Sequence, residues 1–135
     1  MGYKIDEIEG IGPAYQQKLA LADIKTTEDL LDKCCNEPGR KKVSVQIGVS
    51  ESQLLKWANL ADLMRISGIG KQYAELLESA GVDTVTELRT RNPENLTAKL
   101  VEVQATKHLT QVAPNATLVQ GWIQDAKRIA PRITY

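Results

Sequence analysis

The sequence predicts an all-α fold: a compact single domain over residues 1–135, made of two fused pseudo-repeats at about 4–62 and 63–135. Three observations predict it. Apolar residues recur at helical spacing along most of the chain, whereas strand-like alternation is confined to "KVSVQIGV", Lys42 to Val49. Helix-start signals recur as well, with a Ser or Thr three residues before an Asp, Glu or Gln at Thr26, Ser50 and Thr84. Finally, the chain repeats itself. Sliding it by 58 residues superposes Ile8, Gly10, Ile11 and Gly12 on Ile66, Gly68, Ile69 and Gly70, and then Tyr15, Leu19, Ala22, Thr26 and Leu30 on Tyr73, Leu77, Ala80, Thr84 and Leu88. These matches fall on the apolar face and the turns, as expected of duplicated units that each bury one face.

The elements follow in order. Ile5 and Ile8 precede a glycine hairpin, Gly10-Ile11-Gly12, which opens a helix carrying Tyr15, Leu19 and Ala22. Thr26 with Asp29 caps a short helix, and "CCNEPGR", Cys34 to Arg40, reads as the main loop of the first copy. "KVSVQIGV" reads as a helix ending at Gly48, because it has no strand to pair with. Ser50 opens a long helix to Ile66, with Leu54, Trp57, Ala58, Ala61 and Met64 as its core stripe. That helix runs directly into the second hairpin, so the copies share an element. Tyr73, Ala74, Leu77 and Ala80 line the next helix, Thr84 with Glu87 caps a short one, Asn92-Pro93 opens a connecting helix and Pro114 opens the last. Beyond the connecting helix the register changes to 65 residues, pairing Trp57 with Trp122, so the second copy holds seven extra residues around Asn92 to Pro114. Ten residues form the expected core: Ile8, Ile11, Leu19, Leu30, Trp57, Ile66, Ile69, Leu77, Leu88 and Trp122. Tyr15 and Tyr73 are expected as core anchors beside them.

Composition narrows the function. Lys plus Arg and Asp plus Glu both number 17, giving a net charge of +0 and no global attraction to nucleic acid or anionic membrane. The two cysteines, Cys34 and Cys35, are adjacent, a spacing that seldom forms a relaxed disulfide, and Cys34 is expected to pack inside. With His108 the single histidine, no zinc site is expected and no other metal or cofactor is called for. The start, "MGYKIDEIEG", has no secretory pattern and no apolar run approaches a membrane span, so the expectation is a cytoplasmic protein. No nucleophile with a placed base is recognisable, so catalysis and a small-molecule substrate are not expected.

The hairpins carry the functional signal. Leu63-Met-Arg-Ile66-Ser-Gly68-Ile69-Gly70-Lys-Gln-Tyr-Ala74 resembles the helix-hairpin-helix motif in every element. Ile5-Asp-Glu-Ile8-Glu-Gly10-Ile11-Gly12-Pro-Ala-Tyr-Gln16 resembles it until the last position, where Gln16 replaces a small residue. From Ile5 to Ile129, including "WANLADLMRISGIG" and "VQGWIQDAKRI", the chain resembles a tandem helix-hairpin-helix family of bacterial proteins catalogued as a domain of unknown function. The motif resemblance implies a hairpin that grips a phosphate of double-stranded DNA without reading sequence. Elementary physics agrees, since a glycine lets a phosphate approach the backbone and the following helix offers unpaired N–H groups and the positive end of its dipole. The candidate phosphate site is Gly68, Ile69, Gly70 and Lys71 with Arg65, and the weaker second site is Gly10, Ile11 and Gly12. The first hairpin is poorer because Asp6, Glu7 and Glu9 surround it and Pro13 removes an amide donor.

Other cations extend the candidate surface: Arg40-Lys41-Lys42 first, then Arg89, Arg91, Lys127, Arg128 and Arg132. Each also reads as an ordinary solvated helix face. A competing reading is a scaffold for a protein partner, favoured by neutral charge and the acidic first hairpin. Another is a helix-turn-helix at "SVQIGVSESQLLKWA", which would present Glu51, Ser52 and Gln53 to a major groove. The core stripe of that helix already explains its pattern.

Overall fold

The computed structural model describes residues 2–110 and 112–135; Met1 and Gln111, inside the expected domain, lie outside the described residues. Among the described residues the chain forms one 3-10 turn and eight α-helices, and no strand beyond an isolated bridge between Lys4 and Thr26. The helices are α1 (Pro13–Ala20), α2 (Thr27–Cys34), α3 (Glu37–Ile47), α4 (Glu51–Leu63), α5 (Lys71–Ser79), α6 (Val85–Leu88), α7 (Pro93–Lys107) and α8 (Ala116–Arg128). The 3-10 turn, Ile5–Glu7, precedes α1 and packs on it. The chain divides into two compact units. Unit 1 runs to Asp62 and takes in Arg132–Tyr135, and unit 2 is Leu63–Pro131.

In unit 1, α2 packs against α3, and Gly39 marks the close approach. A Cβ there would stand 2.1 Å from the Lys33 carbonyl oxygen. Asn36 caps α3 by accepting a hydrogen bond from the Gly39 N–H at 2.9 Å, and Pro38 sits in the first turn, where a helix needs no N–H from it. The expected loop from Cys34 to Arg40 is therefore helix from Glu37 onward, and the stretch ending at Ile47 is helical and closed by Gly48 at φ +71°. Arg40 is buried, its guanidinium donating to the carbonyls of Cys34 at 3.1 Å and Thr134 at 2.8 Å. Thr134 N–H donates to the Cys35 carbonyl at 2.8 Å, and Arg132 bonds Asp32 at 2.7 Å and Glu28 at 3.3 Å. The bond to Asp32 raises the Arg132 pKa further above its ordinary value. In unit 2, α7 packs on α5 and α8, and α6 packs on α8.

All ten expected core residues are buried, the two tryptophans included. Tyr15 departs from expectation at 38 % exposed and Tyr73 is half-buried; each lies against its unit's tryptophan, with ring centroids 4.9 Å apart for Tyr15–Trp57 and 5.1 Å for Tyr73–Trp122. A tyrosine at the rim covers apolar ring surface and keeps its hydroxyl in water, which suits the side chain better than full burial. Two boundaries also move. The long helix ends at Leu63 instead of Ile66, and Pro114 precedes the cap of α8, which is Asn115. Of the stretch from Asn92 to Pro114, where seven extra residues are expected, Pro93–Lys107 is helix, and this α7 has 15 residues against 11 in α3.

Candidate functional site

The two glycine hairpins share one backbone. Gly10 has φ +93° and Gly68 φ +91°, a region open to glycine and strained for other residues. The turns close in the same way, Ile11 N–H donating to the Ile8 carbonyl at 3.2 Å and Ile69 N–H to the Ile66 carbonyl at 3.1 Å. Beneath each lies a buried indole. A Cβ on Gly10 would sit 3.6 Å from Trp57 Nε1, and one on Gly68 would sit 3.6 Å from Trp122 Nε1. Those are ordinary contacts, so backbone sign, not crowding, demands these two glycines. Neither indole N–H has an acceptor among the described residues.

The second glycine of each hairpin is different. Gly12 and Gly70 have φ of −93° and −95°, which any residue adopts, and a Cβ on either meets nothing within 4 Å. Both are helix N-caps, of α1 and α5. The other six α-helices are capped by their own side chains: Thr26, Asn36, Ser50, Thr84, Asn92 and Asn115 each accept from a first-turn N–H. A glycine cap has no side-chain oxygen, so the first-turn donors of α1 and α5 are left to solvent or a ligand. In α5 these donors include those of Gln72 and Tyr73; in α1 Pro13 has none, leaving Ala14 and Tyr15.

Lys71 is exposed at the first position of α5. Arg65 is half-buried, and its guanidinium donates to the Ala130 carbonyl at 2.9 Å, which ties the residue before the second hairpin to the segment after α8. Asp6 and Glu7 lie in the 3-10 turn before the first hairpin and Glu9 directly precedes Gly10; all three are exposed.

Most of the other cations have structural work. Arg40 is interior, and Lys41 pairs with Glu37 at 3.2 Å, which breaks up the expected basic cluster and leaves Lys42 exposed on α3. Arg89 donates to the carbonyls of Ala126 at 2.9 Å and Ile129, Arg91 to that of Gly81 at 3.0 Å. These three arginines, with Arg65 and Arg132, bind carbonyls or carboxylates that the sequence alone does not place beside them. Sequence reading also missed Asp23, which takes φ +59° in the turn after α1. A signal existed: 58 residues on stands Gly81, at φ +91°.

Among the described residues no group of three or more His, Cys, Asp or Glu is placed to hold a metal ion, and no helix is long and apolar enough to cross a membrane. Burial pushes the Cys34 thiol up to about 11, the opposite of an activated nucleophile.

No curated protein and no solved structure matches the chain. A family model matches residues 9–129, a span that includes both glycine hairpins and α8, and the chain therefore belongs to the family described as a domain of unknown function (DUF4332).

Proposed function

We propose that the protein is a non-catalytic binding module whose two units are pseudo-repeats, each opening with a helix-hairpin-helix, and that the hairpins hold the phosphate backbone of double-stranded DNA without regard to sequence. The observation that carries this reading is the contrast in capping. In six α-helices the N-cap side chain accepts from a first-turn N–H, and in the two that follow the Gly-Ile-Gly turns no side chain does so. Their caps are glycines that neither backbone angle nor crowding requires. A bare cap with open space above it suits an anion that must come close to main-chain amides.

The second hairpin is the stronger contact. It carries Lys71 at the first position of α5, whereas the first hairpin has Pro13 at that place and the carboxylates of Asp6, Glu7 and Glu9 nearby. With a net charge of +0 the affinity is weak, because binding rests on a few local contacts. Fluorescence anisotropy of a labelled random-sequence duplex, at two salt concentrations, tests this. Binding should fall with salt, drop on Lys71→Glu, and change less on Lys41→Glu. Equal losses from both variants would leave only general charge attraction. No binding by the folded protein at low salt would end the DNA reading and favour a scaffold for a protein partner.

A further inference from the structure

Unit 1 contains a cleft of about 380 Å³ between the turn that follows α1 and the flank of α3, away from the hairpin glycines in sequence and lined by none of them. Its apolar walls include Ala22 and Val43, both buried; its polar groups are Asp23, Lys33, Lys42 and Gln46. The size falls at the lower end of small-ligand sites.

Two of its donors are held in place. Lys33 Nζ donates to the Ala22 carbonyl, and Gln46 Nε2 donates to the Leu21 carbonyl at 3.2 Å. An ammonium has three donors and a carboxamide two, so each keeps capacity after anchoring itself to the turn. Anchored donors lose less freedom when a ligand arrives. Lys42 adds a second positive charge and makes no ion pair among the described residues. The carboxylate of Asp23 offsets one of the two cations, leaving the cleft with one net positive charge.

Unit 2 supplies a comparison. A smaller cleft of about 210 Å³ lies in the matching place, with Ala80 for Ala22 and Arg91 for Lys33 at the 58-residue offset. There the cations are already neutralised: Arg91 faces Glu87 at 3.5 Å and Lys99 faces Glu102 at 3.6 Å. The unit 1 cleft is the larger of the two and keeps one net positive charge.

We propose that the unit 1 cleft binds a small free anion bearing a carboxylate or phosphate group, held by Lys42, Lys33 and Gln46, with a short apolar portion against Ala22 and Val43. The site is separate from the hairpins and stands or falls independently of the DNA reading.

The test is a two-dimensional NMR titration of the full ¹⁵N-labelled chain with inorganic phosphate and, separately, with propionate. Saturable shifts confined to the amides of residues 21–23, 39 and 42–46 are expected with at least one of them; the responding probe identifies the headgroup. Lys42 is exposed, so Lys42→Gln should keep the fold and weaken binding about fivefold. Asp23→Asn removes the opposing carboxylate and keeps a side chain that tolerates a positive φ, so it should tighten binding by up to about fivefold. Linear, unsaturable shifts, or titrations that neither variant alters, would overturn the proposal. Shifts of these amides by duplex DNA and by neither small anion would also overturn it, assigning the cleft to a nucleic-acid strand. Shifts at residues 68–73 report on the hairpin, so the two readings fail separately.

Discussion

Two glycines in helices show how much a single hydrogen can decide. Gly39 lies where a Cβ would press on the Lys33 carbonyl at 2.1 Å, a backbone atom that cannot swing away. Gly39→Ala should therefore cost about 1–3 kcal/mol as α2 and α3 are forced apart. Gly121, exposed in the middle of α8 with nothing within 4 Å, should respond oppositely, alanine there stabilising by about 0.5–1 kcal/mol. Urea denaturation of both variants checks the pair. Cys34 makes a prediction in pH. Its thiol is neutral when protonated and burial raises its pKa from 9.0 to about 11, so the folded state resists losing that proton more than the unfolded state does. The stability from this protonated thiol is complete below pH 9.0 and lost as pH rises towards about 11. Cys34→Ala should flatten that part of the curve of stability against pH, measured by denaturation at fixed temperature from pH 8 upward.

The ends of the elements are closed by short-range hydrogen bonds. Thr26 and Asp29 form a complete capping box on α2: Asp29 N–H donates to Thr26 Oγ1 at 3.1 Å, and Thr26 N–H donates to Asp29 Oδ2 at 3.2 Å. At α6 the Thr84 hydroxyl accepts from Glu87 N–H at 3.3 Å, but the Glu87 carboxylate faces Arg91. Thr26→Ala should accordingly cost about 1 kcal/mol and Thr84→Ala less, read as shifts in the urea midpoint. These caps were legible in the sequence, because a hydroxyl three residues before an acid is a local pattern. The hairpin backbone was legible for the same reason, through the paired glycines. Legibility ended where partners lie far apart along the chain. Nothing local announces that Arg40 will be interior, since its partner Thr134 is 94 residues away, or that Arg89 will reach Ala126. The start of α3 was missed because Pro38 and Gly39 read as loop punctuation. In fact Pro38 occupies the one turn where proline costs a helix nothing, and Gly39 serves a helix crossing.

At the scale of the molecule, neutrality and architecture interact. Equal numbers of acids and bases conceal an unequal use of them. Arg40, Arg89, Arg91 and Arg132 tie helices and chain segments together, so the exposed cations are mostly lysines, Lys71 and Lys42 among them. An ammonium is a point charge without a fixed fork, suited to holding an anion and poorly suited to reading a base edge. That supports the proposed contact with a phosphate backbone regardless of sequence. The pairing of one tryptophan with each hairpin has a further, optical consequence. The chain's two tryptophans are Trp57, in unit 1, and Trp122, in unit 2, each buried and in ring contact with one tyrosine. Excited beyond the tyrosine absorption band, the protein's emission is therefore the sum of two local signals, one from each unit, and replacing either indole by phenylalanine isolates the other as a resident fluorophore.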